Sequence, residues 1–468
     1  MKNKKEKETK SSKKRSDPKK PEKEMGQKAK LKKIKSLFEF KKNTHIVFMD
    51  DSFGRPIVEE FNLNSKEAIA GDKGWLIQRI RSRNELNKKL KDFTKKQRIN
   101  KNVLDYFVDL SIGFVAELNK SEIKKLEKTG LIAKDGIVEN TLVEINGRPI
   151  QQGRPIQQGR PIQQGDQIIT SAPEFPSWFF DENGRSTCGI NHVSSGNLTA
   201  KTGRKAWILD SGVNAQHPDL QTCIDLNLSR SFINGNDEED NPLVDLNGHG
   251  SHLTGLVAGK ALSEQSVMGV NGVVPGAPVV SLKVIDNAGS SNWGFITIAL
   301  NYVVQHGSSG DVLLMSFGDY NPKRKCVNFN QNIRNLFSTL SQNNLKVVMS
   351  AGNCELDNGI CKTGREASYN FPGCQVNGNL FTIGALDFDC QTVQGIAKYS
   401  FKGAPVKYMV PGSNILSTST ESLEYEIYSG TSMSAAIFAG LLMAVDSPAD
   451  FRLESIIEGN DEYFKPFF

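Results

Sequence analysis

The sequence predicts an α/β chain built on a mainly parallel sheet with helices on both faces, preceded by a small α+β domain. Two observations carry this. From about residue 170, short Val/Ile/Leu-rich runs alternate with helical patterns, as expected of parallel strands buried on both faces. Between Thr44 and Ile145 the order reads β-α-β-β-α-β over about 100 residues, the order of a ferredoxin-like split βαβ unit.

The chain of 468 residues has length for two or three domains. Its net charge of +6 is unevenly spread: residues 1–43 hold 18 Lys/Arg against 6 Asp/Glu, which leaves the remainder near −6. Such a Lys-rich block, poor in aromatics, predicts a solvated disordered tail. Contact with nucleic acid or an anionic surface through residues 1–43 is the alternative. No apolar run reaches the 18 residues a membrane helix needs, and no apolar stretch of signal-peptide length follows the basic start. Seven cysteines leave at least one unpaired within the monomer, and four of them, Cys354, Cys361, Cys374 and Cys390, lie close in sequence. They lack CxxC spacing and a nearby His, which argues against zinc. Disulfides and buried thiols both stay open.

The elements follow in order. Thr44–Met49 reads as a strand and Glu85–Lys96 as a polar helix, and Leu104–Val108 and Ile112–Leu118 are two further strands. Ser121 opens a second helix that Gly130 stops, and the stretches 136–138 and 141–145 supply the last strand. Residues 44–146 form this first domain. Residues 147–168 hold Gly-Arg-Pro-Ile-Gln-Gln three times, a period too short for a supersecondary unit, so an extended linker is expected rather than a β-helix. The second domain spans 169–468. Lys205–Leu209, Val279–Ile285, Val312–Phe317, Leu345–Met349 and Phe381–Ala385 read as strands, and Gly248–Ala258, Gly294–Gln305 and Ile333–Leu340 as helices. Ile437–Val445 carries no charge and follows Gly430-Thr431-Ser432, which predicts a helix buried on all sides over 428–445.

Chemistry in such sheets gathers at the carboxyl ends of the strands. Asp210 ends one strand, Phe317-Gly318 another and Asn353 follows a third. His249 sits between Gly248 and Gly250 at a helix start, where missing side chains let other groups approach the ring. Ser432 falls in the first turn of the buried helix, beside unpaired N–H groups and the positive dipole end. The order Asp…His…Ser is one convergent route to an acyl-transfer triad; the worked case of this order is subtilisin.

Three segments, Asp210-Ser211-Gly212, Asn247 to Gly255 and Gly430 to Ser434, resemble the signature segments of the subtilisin-like serine proteases (subtilases). Ser350-Ala351-Gly352-Asn353 is similar to the family's oxyanion-hole segment and Met315 to Gly318 to its substrate-binding strand. The resemblance covers residues 170–445, and 44–145 resembles the family's inhibitory propeptide, most visibly at Gly113 to Leu118. It implies a subtilisin-like fold and a serine endopeptidase made as a self-processing zymogen, acting on proteins or peptides and inhibited by its own propeptide. Ser432 is implied as nucleophile, His249 as general base and Asp210 as the group orienting the imidazole, with the Asn353 amide binding the oxyanion. Ser316, Phe317, Gly318, Ser350, Ala351 and Gly352 are implied to hold the substrate. The propeptide-like domain favours a secreted protein.

The chain departs from the family pattern at Ser251, Leu253-Thr254 and Ala436, where Thr, Val-Ala and Pro are usual. These departures support an alternative, an inactive protein-binding pseudoprotease. No cofactor is required for the chemistry. Many relatives bind structural calcium, but Lys407 stands where some carry a ligating Asp, and the acidic loop at 237–240 lacks EF-type spacing.

Overall fold

The computed structural model describes residues 43–145, 186–194, 198–233, 240–261, 269–358, 360–361, 364–420 and 425–468. The basic tail expected over 1–43, the repeat linker and most of the acidic loop lie outside them.

Strand β1 (Thr44–Met49) alternates its side chains. Ile46 and Phe48 join one buried cluster and Val47 and Met49 another, as the two-residue period of a strand requires. Helix α1 (Lys73–Gln97) precedes β2 (Val103–Phe107) and β3 (Gly113–Glu117); α2 (Lys120–Glu127) precedes β4 (Ile132–Glu139). The sheet order is β2-β3-β1-β4, with β3 and β4 each antiparallel to β1. Leu90 and Phe93 of α1 and Leu126 of α2 pack on its Val47 face. Helix α1 begins twelve residues before the predicted polar core, because Asp72 caps it by accepting from Trp75 N–H. Strand β5 (Leu142–Ile145) does not extend this sheet, contrary to the expectation of one last strand.

The central sheet has ten strands. Its parallel core comprises β6 (Ala206–Asp210), β7 (Val279–Lys283), β9 (Val312–Met315), β11 (Lys346–Ser350), β13 (Leu380–Phe388) and β14 (Val406–Pro411). Between β7 and β9 lie β8 (Ser290–Asn292) and α4 (Trp293–His306). Ahead of β11 come β10 (Phe317–Tyr320) and α5 (Gln331–Gln342), and β12 (Asn370–Phe371) precedes β13. The hairpin β15 (Ile415–Thr418) and β16 (Tyr425–Tyr428) leads into α6 (Thr431–Ala444). A terminal hairpin, β17 (Arg452–Glu458) and β18 (Asp461–Phe467), extends the central sheet beyond β14.

Both faces of the parallel core of this sheet are covered, which is why strands such as β6 and β9 are apolar and fully buried. Ala206, Ile208, Val312 and Leu314 face α6 and α3 (His249–Ala258), whereas Trp207, Leu209, Leu313 and Met315 face α4 and α5. Thirteen residues of α6 are buried, so Ile437 to Met443 stabilise by burial alone, at about 1.5–3 kcal/mol for each large side chain. No polar side chain caps α6 from Gly430, and its far end is met by two cations. Arg204 Nη1 donates to the Val445 carbonyl at 2.6 Å and Lys346 Nζ to the same oxygen at 2.7 Å.

The predicted strand 312–317 is two strands, because the chain leaves the central sheet at Ser316. Strand β10 then joins a separate antiparallel sheet of order β12-β10-β5-β8. Three cysteine pairs form, Cys188–Cys390, Cys326–Cys374 and Cys354–Cys361, and Cys223 is a buried free thiol. Among the described residues no helix is long and apolar enough to cross a membrane, and no cluster of His, Cys, Asp or Glu has the make-up of a metal site.

Candidate active site

Asp210 ends β6 and is buried. A buried carboxylate needs donors, and three reach it: His249 Nδ1 at 2.9 Å from both oxygens, Ser211 N–H at 2.8 Å and the Ser211 hydroxyl at 3.2 Å. Gly212 follows at φ +107°, in a conformation that disfavours side chains. A Cβ at Gly250 would lie 2.1 Å from the Gly212 carbonyl oxygen, so the glycine after His249 lets α3 sit directly on the exit from β6.

His249 is the first residue of α3, and its helix is capped from outside. The Asp245 carboxylate accepts from Gly248 N–H at 2.9 Å, Ser251 N–H at 2.8 Å and the Ser251 hydroxyl at 2.7 Å. One turn on, His252 is fully buried and stacks on Tyr428 with ring centres 4.4 Å apart. Its Nε2 faces the carbonyls of Ile415 and Glu426, and burial pushes its pKa down to about 3, so it stays neutral.

Ser432 lies in the first turn of α6, buried, and its hydroxyl donates to the Ser316 carbonyl at 3.3 Å. Asn353 stands three residues beyond β11, and its Oδ1 accepts from Thr431 N–H at 2.9 Å. Gly352 N–H in turn donates to the Thr431 hydroxyl, so the 350–353 segment is fastened to the turn bearing Ser432. This leaves the Asn353 Nδ2 side of the amide toward Gly430, 3.1 Å from where a Cβ there would stand. Ala351 is held by Ile383 through its N–H and by the Asn370 amide at its carbonyl.

Between β10 and β8 lies β5. Ile145 is opposite Phe317 and Glu144 opposite Gly318; on the other edge Glu144 is opposite Ser290 and Val143 opposite Ser291. Ile145 N–H also donates to the Gly289 carbonyl at 3.0 Å. Thus Phe317 and Gly318 carry an extended chain antiparallel to them. Immediately before β10 is Ser316, whose carbonyl accepts from the Ser432 hydroxyl.

A profile of the subtilase family matches residues 202–450, more than half of the chain. The chain belongs to the subtilase family. Membership puts this subtilase among the serine-type endopeptidases. It is 28% identical over 258 residues to an intracellular serine protease of Paenibacillus polymyxa, covering 55% of this chain and 71% of that one. To subtilisin DY of Bacillus licheniformis it is 29% identical over 236 residues, covering 50% and 74%. To a thermophilic serine proteinase of Bacillus sp. (strain AK1) it is 28% identical, and there it spans 59% of the relative. The solved structure of sphericase aligns with a TM-score of 0.44 at 24% identity, covering 55% of this subtilase and 82% of that chain.

The sequence reading missed three parts of the site. Strand β8 is too short and polar to signal itself, and Asn370 lies far from any motif. Asp245 did leave a signal, an Asp followed by Leu-Asn-Gly just ahead of His249, the pattern of a side chain that caps its own turn.

Proposed function

We propose that this subtilase hydrolyses peptide bonds through an acyl-enzyme and is made as a zymogen that processes itself, with residues 44–145 as its inhibitory segment. The observation that carries the reading is β5, an extended strand paired on both edges beside the Ser432 turn. A substrate would add to β10 in the same manner, its backbone giving affinity and alternate side chains giving selectivity.

In the reaction, the Ser432 hydroxyl turns from the Ser316 carbonyl toward His249. Its oxygen attacks the scissile carbonyl carbon as its proton passes to His249 Nε2. Asp210, bonded to Nδ1, holds the imidazole in the tautomer that leaves Nε2 able to accept, and it stabilises the imidazolium. The Asn353 amide and the Ser432 N–H meet the developing oxyanion. His249 then gives its proton to the departing amine, the C–N bond breaks, and water repeats the sequence to release the acyl group from Ser432. Ser350, Ala351 and Gly352 flank the residue before the cut bond. No metal enters these steps.

Processing falls at or near the Gly-Arg-Pro-Ile-Gln-Gln repeats of residues 147–168. The test is parallel expression of the wild type and Ser432→Ala, followed by N-terminal sequencing and a casein-type assay. Cleavage and casein hydrolysis are expected for the wild type alone. If both chains behave alike and a fluorophosphonate probe fails to label Ser432, the protein is a binding pseudoprotease instead.

A further inference from the structure

We propose that Asp245 is a positioning residue of this site, a second buried carboxylate that holds the Asp210–His249 pair through Ser211 and strengthens the imidazole as a base. The proposal rests on the peptidase reading above. Asp245 is 3% exposed and accepts five hydrogen bonds. Oδ1 takes the Ser211 hydroxyl at 3.0 Å, Asn247 N–H at 3.0 Å and Gly248 N–H at 2.9 Å; Oδ2 takes Ser251 N–H and the Ser251 hydroxyl.

Ser211 is the link. Its hydroxyl lies within reach of both carboxylates, 3.0 Å from Asp245 and 3.2 Å from Asp210, and its oxygen accepts from Gly250 N–H at 3.0 Å. The first N–H groups of α3 are therefore satisfied by Asn247, Ser211 and Asp245, each from outside the helix. One of these acceptors, Ser211, directly follows Asp210. The strand end that presents the acid and the helix start that presents the imidazole are thereby fixed to each other by one side-chain chain, Asp245–Ser211–Asp210–His249. Ser251 ties in a further loop, since its hydroxyl also accepts from Asn214 N–H at 2.8 Å.

The charges around the pair give this arrangement an electrostatic effect. Facing it are Lys283 from the end of β7, whose ammonium donates to the Val244 carbonyl, His252 from α3, and Tyr428 and Glu426 from β16. His252 is neutral, and burial beside Glu426 raises the Tyr428 pKa so that it keeps its proton. Among the described residues, the carboxylates of Asp210, Asp245 and Glu426 and the ammonium of Lys283 lie around the pair, and the imidazolium formed when Ser432 loses its proton meets the carboxylates of Asp210 and Asp245.

The experiment compares Asp245→Asn, Ser211→Ala and Ser211→Thr in the processed protein, reading kcat, KM and the acid limb of kcat/KM. For Asp245→Asn, kcat falls by about 10- to 100-fold with KM unchanged. Removing a negative charge weakens the imidazole as a base, so the acid limb moves to lower pH by about half a unit. Ser211→Ala likewise lowers kcat with KM unchanged, Ser211→Thr restores the hydroxyl and most of the rate, and the Asp245→Asn/Ser211→Ala double variant is no worse than the worse single one. An acid limb that stays in place, or losses that add in the double variant, would overturn the proposal. Should Asp245→Asn fail to fold, the Ser211 pair decides it alone, by loss of kcat in Ser211→Ala and its rescue in Ser211→Thr. A wild type without hydrolysis sinks the peptidase reading itself, whereas an active wild type beside an unmoved limb sinks only the role of Asp245.

Discussion

Arg79 donates from Nη2 to the Val304 carbonyl at 2.7 Å, joining α1 of the first sheet to the last turn of α4. The guanidinium is buried, with Arg83 and its bidentate partner Asp109 nearby. A charged donor on a helix C-terminal carbonyl contributes about 1.5–3 kcal/mol. Arg79→Met should therefore make the 44–145 segment leave the cleaved protein about 10- to 100-fold faster. Size-exclusion chromatography of the nicked full chain reads this directly; unchanged co-elution over time would contradict it.

Val143 is the inward residue of β5, 1% exposed, and it belongs to the apolar cluster that contains Trp293 and Phe317. Val143→Asp would bury an unpaired carboxylate there. The expected outcome is early casein hydrolysis during processing, while Val143→Ile leaves the lag intact. Equal lags in both variants would mean that β5 does not restrain the site.

Asn353→Ala removes the side-chain donor proposed for the oxyanion. A fall of about 10²–10³ in kcat with little change in KM is expected, the range known from subtilisin itself. A variant altered in KM alone would assign Asn353 to ground-state binding.

Lys346 gives a pH signature. Burial lowers its pKa to about 8 from the ordinary 10.5. The folded value lies below the unfolded one, so the unfolded chain binds more protons between those values. Stability from this group rises as pH climbs from about 8 to 10.5, by about 3 kcal/mol, on the order of the shift itself. The melting temperature of the wild type should rise relative to that of Lys346→Met over that window; a difference constant with pH would refute it.

The Cys326–Cys374 pair closes a loop of sequence separation 48. Loop-closure entropy assigns such a crosslink about 4 kcal/mol. Replacing both cysteines by Ser should lower the melting temperature by several degrees, and unreduced peptide mapping should recover three linked pairs with Cys223 free.

How much of this was legible depended on whether a residue's task is local. Thr44–Met49 was read with its bounds, because a buried strand writes its period into six consecutive residues. Asp210, His249 and Ser432 stood out because each sits at an element end flanked by glycine or small residues. In the fold Asp210 and His249 touch, and the Ser432 hydroxyl rests on Ser316. The departure of β5 from its expected sheet was hidden, since four residues alternate alike whichever sheet they join. The break at Ser316 was hidden too, because Met315 and Phe317 are equally apolar on either side. The hairpins β15–β16 and β17–β18 gave no firm signal: the outward side chains of β17 are mixed, with Leu453 and Ile457 exposed among charges.

Only Asn140 and Thr141 separate β4 from β5, and Asn140 has a second employment. Its Oδ1 accepts from Gly294 N–H at 2.8 Å in the opening turn of α4, while its Nδ2 braces Asn292, which accepts from Phe295 N–H. Severing the chain further along leaves these contacts untouched; only physical departure of the leading segment strips them away. If the 44–145 segment leaves as proposed, the opening turn of α4 loses the acceptor that Asn140 supplies to Gly294 and the brace it gives Asn292.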